Sequence, residues 1–469
     1  MTGVASRTKS VWFIPTPSTF LLLLALSFTI LSTYEFGWMG VAFLLVIVGG
    51  ALVTWYLPEF WTAALFSSGI FKEWATANIP LFAQFDFTVA LSMMALLAHV
   101  LYRLRQREAL TLPGLSGLLT FAVLAAYLLL STSWSSAPGY GLSKAFSFAG
   151  FGGVLFLTAS GYNRLQRIRS TFWILFVFGV ATSVYTLVTL SQALSNLPKI
   201  LEFYRASFLG VNPISYAQWV GVIAVVSLVL VSGVCSRPRR ILVYVGSGIM
   251  ILAVLAANSR GPMLSLLVSL LGLGVIQFRH TRSVRVFAWV GAIGGLMLIL
   301  VSLLPSQLVS RYSDFSSSKT GEAQVQSRIT VYQRLRLWQT ALDLPTEGVD
   351  TALFGVGCGA FGHVYYRGDV AWWPHNIFLE VLSEGGLVGL LLLLTHWGTL
   401  LADTVDAKRK QTASAGSFQR VYIAIGVAIL FLLIGAQVSG DLSHNRRLWY
   451  FLGMLVAANS AVRNESGEA

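Results

Sequence analysis

Charge is what this sequence has least of. Asp, Glu, Lys and Arg make up 11% of its 469 residues, against about a quarter in an ordinary soluble domain. A globule needs polar residues to coat it, so a large soluble core is excluded by the shortage. Cysteine is almost absent as well. Cys235 and Cys358 are the two present. No disulfide framework follows from two, and no Cys/His spacing suits a metal. The glycine-rich stretch 353–361 lacks the Lys-Ser/Thr that would make it a phosphate-cradling loop, which argues against a nucleotide site. No internal repeat or low-complexity tract is evident.

What fills the chain instead is apolar sequence, 55% of it. Long apolar runs recur from Leu21 to Val456, and about 20 such residues cross the roughly 30 Å hydrocarbon core of a bilayer. Candidate spans lie at 17–34, 38–56, 81–102, 112–131, 141–160, 171–190, 214–233, 241–257, 262–278, 286–304, 377–400, 418–438 and 447–461. The expectation is an all-α polytopic membrane protein of about 12 spans, within a range of 12 to 14. Arg7 and Lys9 precede the first run without a convincing cleavage site, so that run reads as a helix and not as a removed leader.

The net charge of +13 would suggest nucleic acid in a soluble protein. Here the basic residues gather in short loops: Arg103 to Arg107, Arg164 to Arg169, Arg237 to Arg240, Arg279 to Arg285 and Lys408 to Lys410. That is the positive-inside pattern, so the basicity encodes topology and no nucleic-acid partner is expected. The alternating loops, including 191–213, 258–261, 305–376 and 439–446, then face outward, and the two cysteines fall on opposite sides. Before Arg103 the parity fails. Either one run does not cross, or Phe60 to Ile70 forms a short re-entrant pair. Four regions result: transmembrane helices over 1–304, a large external insert over 305–376, further transmembrane helices over 377–461, and a short tail over 462–469.

The insert carries its own signals. Val331, Leu335, Trp338 and Leu342 share one helical face, flanked by Arg328 and Arg334. The glycine-rich stretch after Pro345 reads as a turn-rich link across the membrane surface. His375 follows in Trp372-Trp373-Pro374-His375-Asn376, where the insert meets the span from Ile377. Tryptophan favours that interface, and Pro374 with Asn376 suits a helix start. The positive end of a helix dipole favours a neutral imidazole, which can act as a general base. The competing reading is an interfacial histidine bonded to backbone.

Arg205, Arg260, Arg328 and Arg334 place positive charge on the outer side, against the general bias. A phosphate-bearing lipid partner would account for them, because guanidinium pairs bidentately with phosphate oxygens. Pairing with Asp314, Glu322, Asp343 or Asp369, or snorkelling to lipid headgroups, would account for them equally. Glu380 and Glu384 enter an apolar span, where a carboxylate needs a cavity or a partner, and Glu380 could orient a basic residue. Gly385 and Gly389 read as helix packing. His444 reads as an interface anchor. Asp86 stands alone in its span with no partner in view.

Taken in order, these pieces resemble the bacterial O-antigen ligase/polymerase family. Arg334-Leu-Arg-Leu-Trp338-Gln-Thr-Ala-Leu342 resembles its Arg-x-x-x-Trp-x-x-Ala-Leu helix. Leu353-Phe-Gly-Val-Gly-Cys-Gly-Ala-Phe361 resembles its glycine-rich turn. His375-Asn376, with Leu379, Leu382, Glu384, Gly386 and Gly389 at their spacings, resembles its His-Asn segment. Asn258-Ser-Arg-Gly261 and Arg205 to Pro213 resemble upstream elements. The resemblance implies an inner-membrane glycosyltransferase of O-antigen ligase type. Such an enzyme takes a glycan from a polyprenyl (undecaprenyl) diphosphate carrier on the periplasmic face and passes it to an acceptor hydroxyl, of lipid A core or of a growing glycan. No metal or other cofactor is implied. Carried over, His375 would activate the hydroxyl, Arg205 and Arg334 would hold the diphosphate with Arg328 in reserve, and Arg260, Asn376 and Glu380 would assist. A polysaccharide polymerase of the same family is the alternative, and a flippase for lipid-linked oligosaccharide is the alternative from another class.

Overall fold

The computed structural model of the chain describes residues 48–106, 114–196, 205–230, 236–281, 322–410 and 415–465. Residues up to Pro58 form a unit of their own, described from residue 48 and helical over 48–56 (α1). Everything else described belongs to one unit, Glu59–Ala469, whose regular elements are all helical. In order they are α2 (Glu59–Asn78), the short α3 (Pro80–Gln84), α4 (Phe87–Arg105), α5 (Leu115–Ser131), α6 (Pro138–Ser147) and α7 (Gly153–Ser160). Then come α8 (Leu165–Asn196), α9 (Pro213–Leu230), α10 (Arg237–Ala256), α11 (Arg260–Thr281), α12 (Glu322–Asp343), α13 (Val349–Phe354) and α14 (Phe361–Tyr366). α15 (Ile377–Arg409), α16 (Ala415–Ala436) and α17 (Arg446–Glu465) complete the chain.

Eight helices among the described residues are long and apolar enough to cross a membrane. One of them, Pro138–Ser160, is α6 and α7 joined by a π-turn at Phe148–Gly152. This architecture is consistent with a polytopic membrane protein. The runs expected at 17–34 and 286–304, and most of 38–56, lie outside the described residues, as do Cys235 and residues 305–321 of the insert.

The segment Phe60 to Ile70 is not a re-entrant pair. It lies within the continuous 20-residue α2. Contacts at both ends set α2 antiparallel to α4. At one end Glu59 accepts from Arg167 at 3.0 Å and Thr62 meets the Tyr162 hydroxyl at 2.9 Å, with Tyr162 against Tyr102 late in α4. At the other end Lys72 donates to Asp86, which caps the start of α4 by accepting from the Thr88 amide at 2.7 Å. Asp86 is thus not a lone intramembrane acid; it is an N-cap with an ion-pair partner.

The core is mostly Ala, Val, Leu and Ile, with a cluster of large aromatics at its centre. Phe121 stacks on Phe156 and Phe148, and Trp449 closes on the same ring. α15 lies against α5, where the Thr120 hydroxyl meets His396 Nδ1 at 2.9 Å. α17 packs between α7, α15 and α16. These contacts hold the beginning of α15 and the loop before α17 at one end of the bundle.

Candidate functional site

The site is built where α15 begins. Asn376 caps that helix by accepting from the Phe378 and Leu379 amides, both at 3.1 Å, as its residue type predicts. His375, one residue earlier, has φ of +58°, a conformation costly for a side chain with a Cβ. The strain is held by the neighbours. The Trp338 indole N–H donates to the Pro374 carbonyl at 3.0 Å, and the His375 ring stands edge-on to Trp372 and Trp373 at 6.0 and 5.5 Å. His375 Nδ1 is buried and has no hydrogen-bond partner among the described residues, so the reading of a histidine spent on backbone does not hold.

α12 lies over this turn, but not by the face expected. Leu337, Ala341 and Leu344 are buried with Phe361, against Val356, Val364, Trp372 and Leu379. Leu335 and Leu342 are more than half exposed, at 55% and 53%, and the Val331 side chain lies outside the described residues. The helix carries two apolar stripes of the same i, i+4, i+7 spacing, and docking on α14 and α15 selected the second. Arg334 sits three residues before Leu337, hence on the docked face. It is partly buried, and among the described residues no carboxylate pairs with it.

Three cationic or potentially cationic groups lie in electrostatic reach of one another in series, Arg260 acting on Arg334 and Arg334 on His375. Burial, with the charge of Arg260 added, lowers the Arg334 pKa. Burial, with the charge of Arg334 added, pushes His375 down to about 4. At neutral pH His375 is therefore the free imidazole, with a lone pair to offer. Arg260 opens α11 after a turn in which Asn258 takes φ of +48°. The Asn258 side chain is 2% exposed, and neither of its polar atoms has a partner among the described residues. Arg205 is brought to the same end because the Ala206 amide donates to the Ala256 carbonyl at 3.2 Å. Arg328 falls in α12, but its side chain lies outside the described residues. Asp369, a suggested partner for the arginines, instead accepts from the Gly139 and Tyr140 amides at 3.0 and 3.1 Å.

The basic residue that Glu380 meets is a lysine, not one of the site's arginines. It faces Lys144 at 2.5 Å, and Glu384 faces the same ammonium at 2.6 Å. All three are essentially buried. Glu380 also accepts from the Leu442 amide at 2.9 Å, and Glu384 from the Gly359 amide at 2.9 Å. One lysine on α6 thus ties α15 to the loop before α17 and to the glycine turn. Lys144 escaped sequence reasoning, although a lone lysine in one apolar run and two carboxylates in another were the available signal.

The glycine stretch is not a surface link either. Gly355, Gly357 and Gly359 have φ of +70°, +93° and +77°, which lets the backbone enter a gap in α15. That helix is broken at Gly386, φ +62°. The carbonyls freed there are satisfied from outside: Ser383 accepts from the Val356 amide at 3.0 Å, Glu384 from the Gly357 amide at 2.9 Å, and Gly385 from the Tyr127 hydroxyl at 2.7 Å. The expected packing role of Gly385 and Gly389 holds, since both lie against Tyr127.

Asp441 completes the arrangement. Fully buried, it accepts from the Tyr140 hydroxyl at 2.7 Å, from Ser443 at 2.9 Å and from the His444 amide, and meets His444 Nδ1 at 2.6 Å. These donors and the nearby Lys144 hold its carboxyl well below the usual range against the opposing cost of burial. Among the described residues, no group of three or more His, Cys, Asp or Glu is arranged to hold a metal ion.

Comparison with known proteins adds one match. Residues 245–394 fit the family model described as O-antigen ligase. The matched region holds Arg260, α12 with Arg334, the glycine turn, His375 and the broken first part of α15. Arg205, Lys144, Asp441 and His444 lie outside it. No curated protein matches the chain.

Proposed function

We propose, from the likeness of residues 245–394 to the O-antigen ligase family model, that this chain is a lipid-linked glycan transferase of the inner membrane. It moves a glycan from a polyprenyl diphosphate to an acceptor hydroxyl, as an O-antigen ligase does to lipid A core. The observation that carries the reading is the meeting of a neutral, unpartnered His375 with Arg334 and Arg260. His375 takes the proton of the acceptor hydroxyl. The oxygen attacks the anomeric carbon as the bond to the diphosphate breaks, and the diphosphate leaves with the bonding pair. Arg334, Arg260 and Arg205 stabilise the charge that grows on it, as preorganised cations do. Direct displacement inverts the anomeric centre.

The site lies at the end of the bundle away from the basic loops, which supports a periplasmic location. Runs at 17–34 and 286–304 beyond the eight described spans would bring the total toward the 12 to 14 we propose. A polymerase would use the same groups on a different acceptor. The flippase reading is weaker, because the break in α15 is plugged by the glycine turn and not left open to a cargo.

The test is incubation of the purified protein with polyprenyl-diphosphate glycan, with and without lipid A core. Core-linked glycan marks a ligase and extended chains mark a polymerase. Unchanged lipid moved across a vesicle bilayer marks a flippase and removes the transferase reading. His375→Ala and Arg334→Ala should abolish transfer while leaving insertion intact.

A further inference from the structure

A second histidine stands at this end of the bundle in an arrangement built for proton transfer. His444 Nδ1 lies 2.6 Å from Asp441 Oδ1, with the carboxylate fully buried and the His444 side chain 65% exposed. A buried carboxylate on one ring nitrogen fixes the tautomer: Nδ1 carries the hydrogen and Nε2 offers its lone pair outward. Asp441 is itself fixed by Tyr140, Ser443 and the His444 amide, so the dyad is rigid on its buried side. The exposed ring stacks on Trp373 with centroids 5.4 Å apart, and Trp373 also contacts His375. One indole thus separates two imidazoles in different settings. His375 is partly buried beside Arg334, with Asp441 further off, whereas His444 is exposed and in direct contact with the Asp441 carboxylate.

We propose that the Asp441–His444 dyad is the proton outlet of this site, His444 Nε2 receiving the proton that His375 takes from the acceptor hydroxyl. This rests on the role given to His375 above. The acceptor O–H bond breaks and its proton passes to His375 as the new C–O bond forms and the diphosphate departs with its electron pair. The proton then moves through solvent to His444 Nε2, forms an imidazolium paired with Asp441, and is released to bulk water. Base and product are reset without an added reagent.

Other charged groups frame the dyad without supplying a rival outlet. Lys144, from α6, approaches Asp441 from beneath and is occupied by Glu380 and Glu384. Of the arginines that follow on α17, Arg446 lies over Phe151 and Arg447 donates to the Ser215 carbonyl.

The test is the rate of glycan transfer by full-length His444→Gln and His444→Ala across pH. His444→Gln keeps a donor within reach of Asp441 and should unfold near the wild-type temperature, while His444→Ala removes a hydrogen bond to a buried carboxylate and should fold but unfold at a somewhat lower temperature. Expected is a fall in kcat of at least about tenfold with KM unchanged, an altered acid limb of the pH profile, and partial recovery of His444→Ala by added imidazole. Wild-type rates in both variants overturn the proposal. So does a loss that imidazole does not relieve, because His444 then serves only to support Trp373. A wild-type protein that transfers no glycan overturns this inference and the transferase reading together, whereas an active wild type with active variants sinks this inference alone.

Discussion

Trp338 and Pro374 are joined by one hydrogen bond, from the indole N–H to the carbonyl, at 3.0 Å. It links the helix that carries Arg334 to the residue before His375. The arginine and the imidazole are therefore held in register by a side chain to which the proposed reaction gives no chemical role. Trp338→Phe keeps the ring and removes the bond. Such a bond is worth about 1 kcal/mol to stability, so the variant should fold. A small misplacement of reacting groups is costlier, and kcat should fall by about 10- to 100-fold. Steady-state transfer kinetics beside a thermal unfolding curve check both halves.

Lys144 neutralises two buried carboxylates at once. Lys144→Met strips the partner from Glu380 and Glu384 and leaves like charges in a site sealed from water. Removing one member of a buried ion pair typically costs about 3–5 kcal/mol. The variant should unfold at a markedly lower temperature in detergent. Adding Glu380→Gln and Glu384→Gln to it should restore much of the loss, which a mere packing defect at residue 144 would not permit.

The break in α15 admits no side chain. A Cβ at Gly386 would lie 2.3 Å from the Leu353 carbonyl oxygen, and its φ of +62° with ψ of −164° belongs to glycine. Gly386→Ala should displace the glycine turn, lower the unfolding temperature and abolish transfer. Gly398→Ala, on the same helix, meets nothing within 4 Å and should behave as wild type or gain slightly. Equal behaviour of the two variants would contradict the role given to the break.

His375 is held neutral in the folded protein, with its pKa pushed down to about 4 by burial and by Arg334, from about 6.5 in an unfolded chain. Between these values the unfolded chain binds the extra proton. Stability contributed by the neutral ring is therefore complete above about pH 6.5 and is lost as pH falls toward 4. His375→Gln has no such proton to bind, so its unfolding temperature should decline less steeply over that window. Parallel pH slopes for the two proteins would show that His375 is not buried as a neutral ring.

Much of the site was legible in one dimension because its parts lie where the chain is forced to change state. The Pro374-His375-Asn376 turn stands out because an apolar helix must begin there, and Asn376 caps it as its amide side chain dictates. The outward arginines stand out because the charge bias of the loops runs the other way. The face of α12 was misjudged because periodicity alone cannot choose between two equivalent stripes. The choice lies with α14 and α15, which bury Leu337 and leave Leu335 outside.

The amino-acid order by itself determined that this is a helical membrane protein, since too little charge remains to solvate anything else, and it marked the loops in which the candidate site lies. Tertiary structure alone decided which charges meet. Lys144 finds Glu380 and Glu384 across hundreds of residues, because a charge in a low-dielectric interior must have a partner and its own helix offers none; Asp441 takes Ser443 and His444 from its own turn and adds Tyr140 from across the fold. Arg334 and His375 are brought together by the same packing, although their like character sets them at odds. Only a fold already stabilised elsewhere can hold them there.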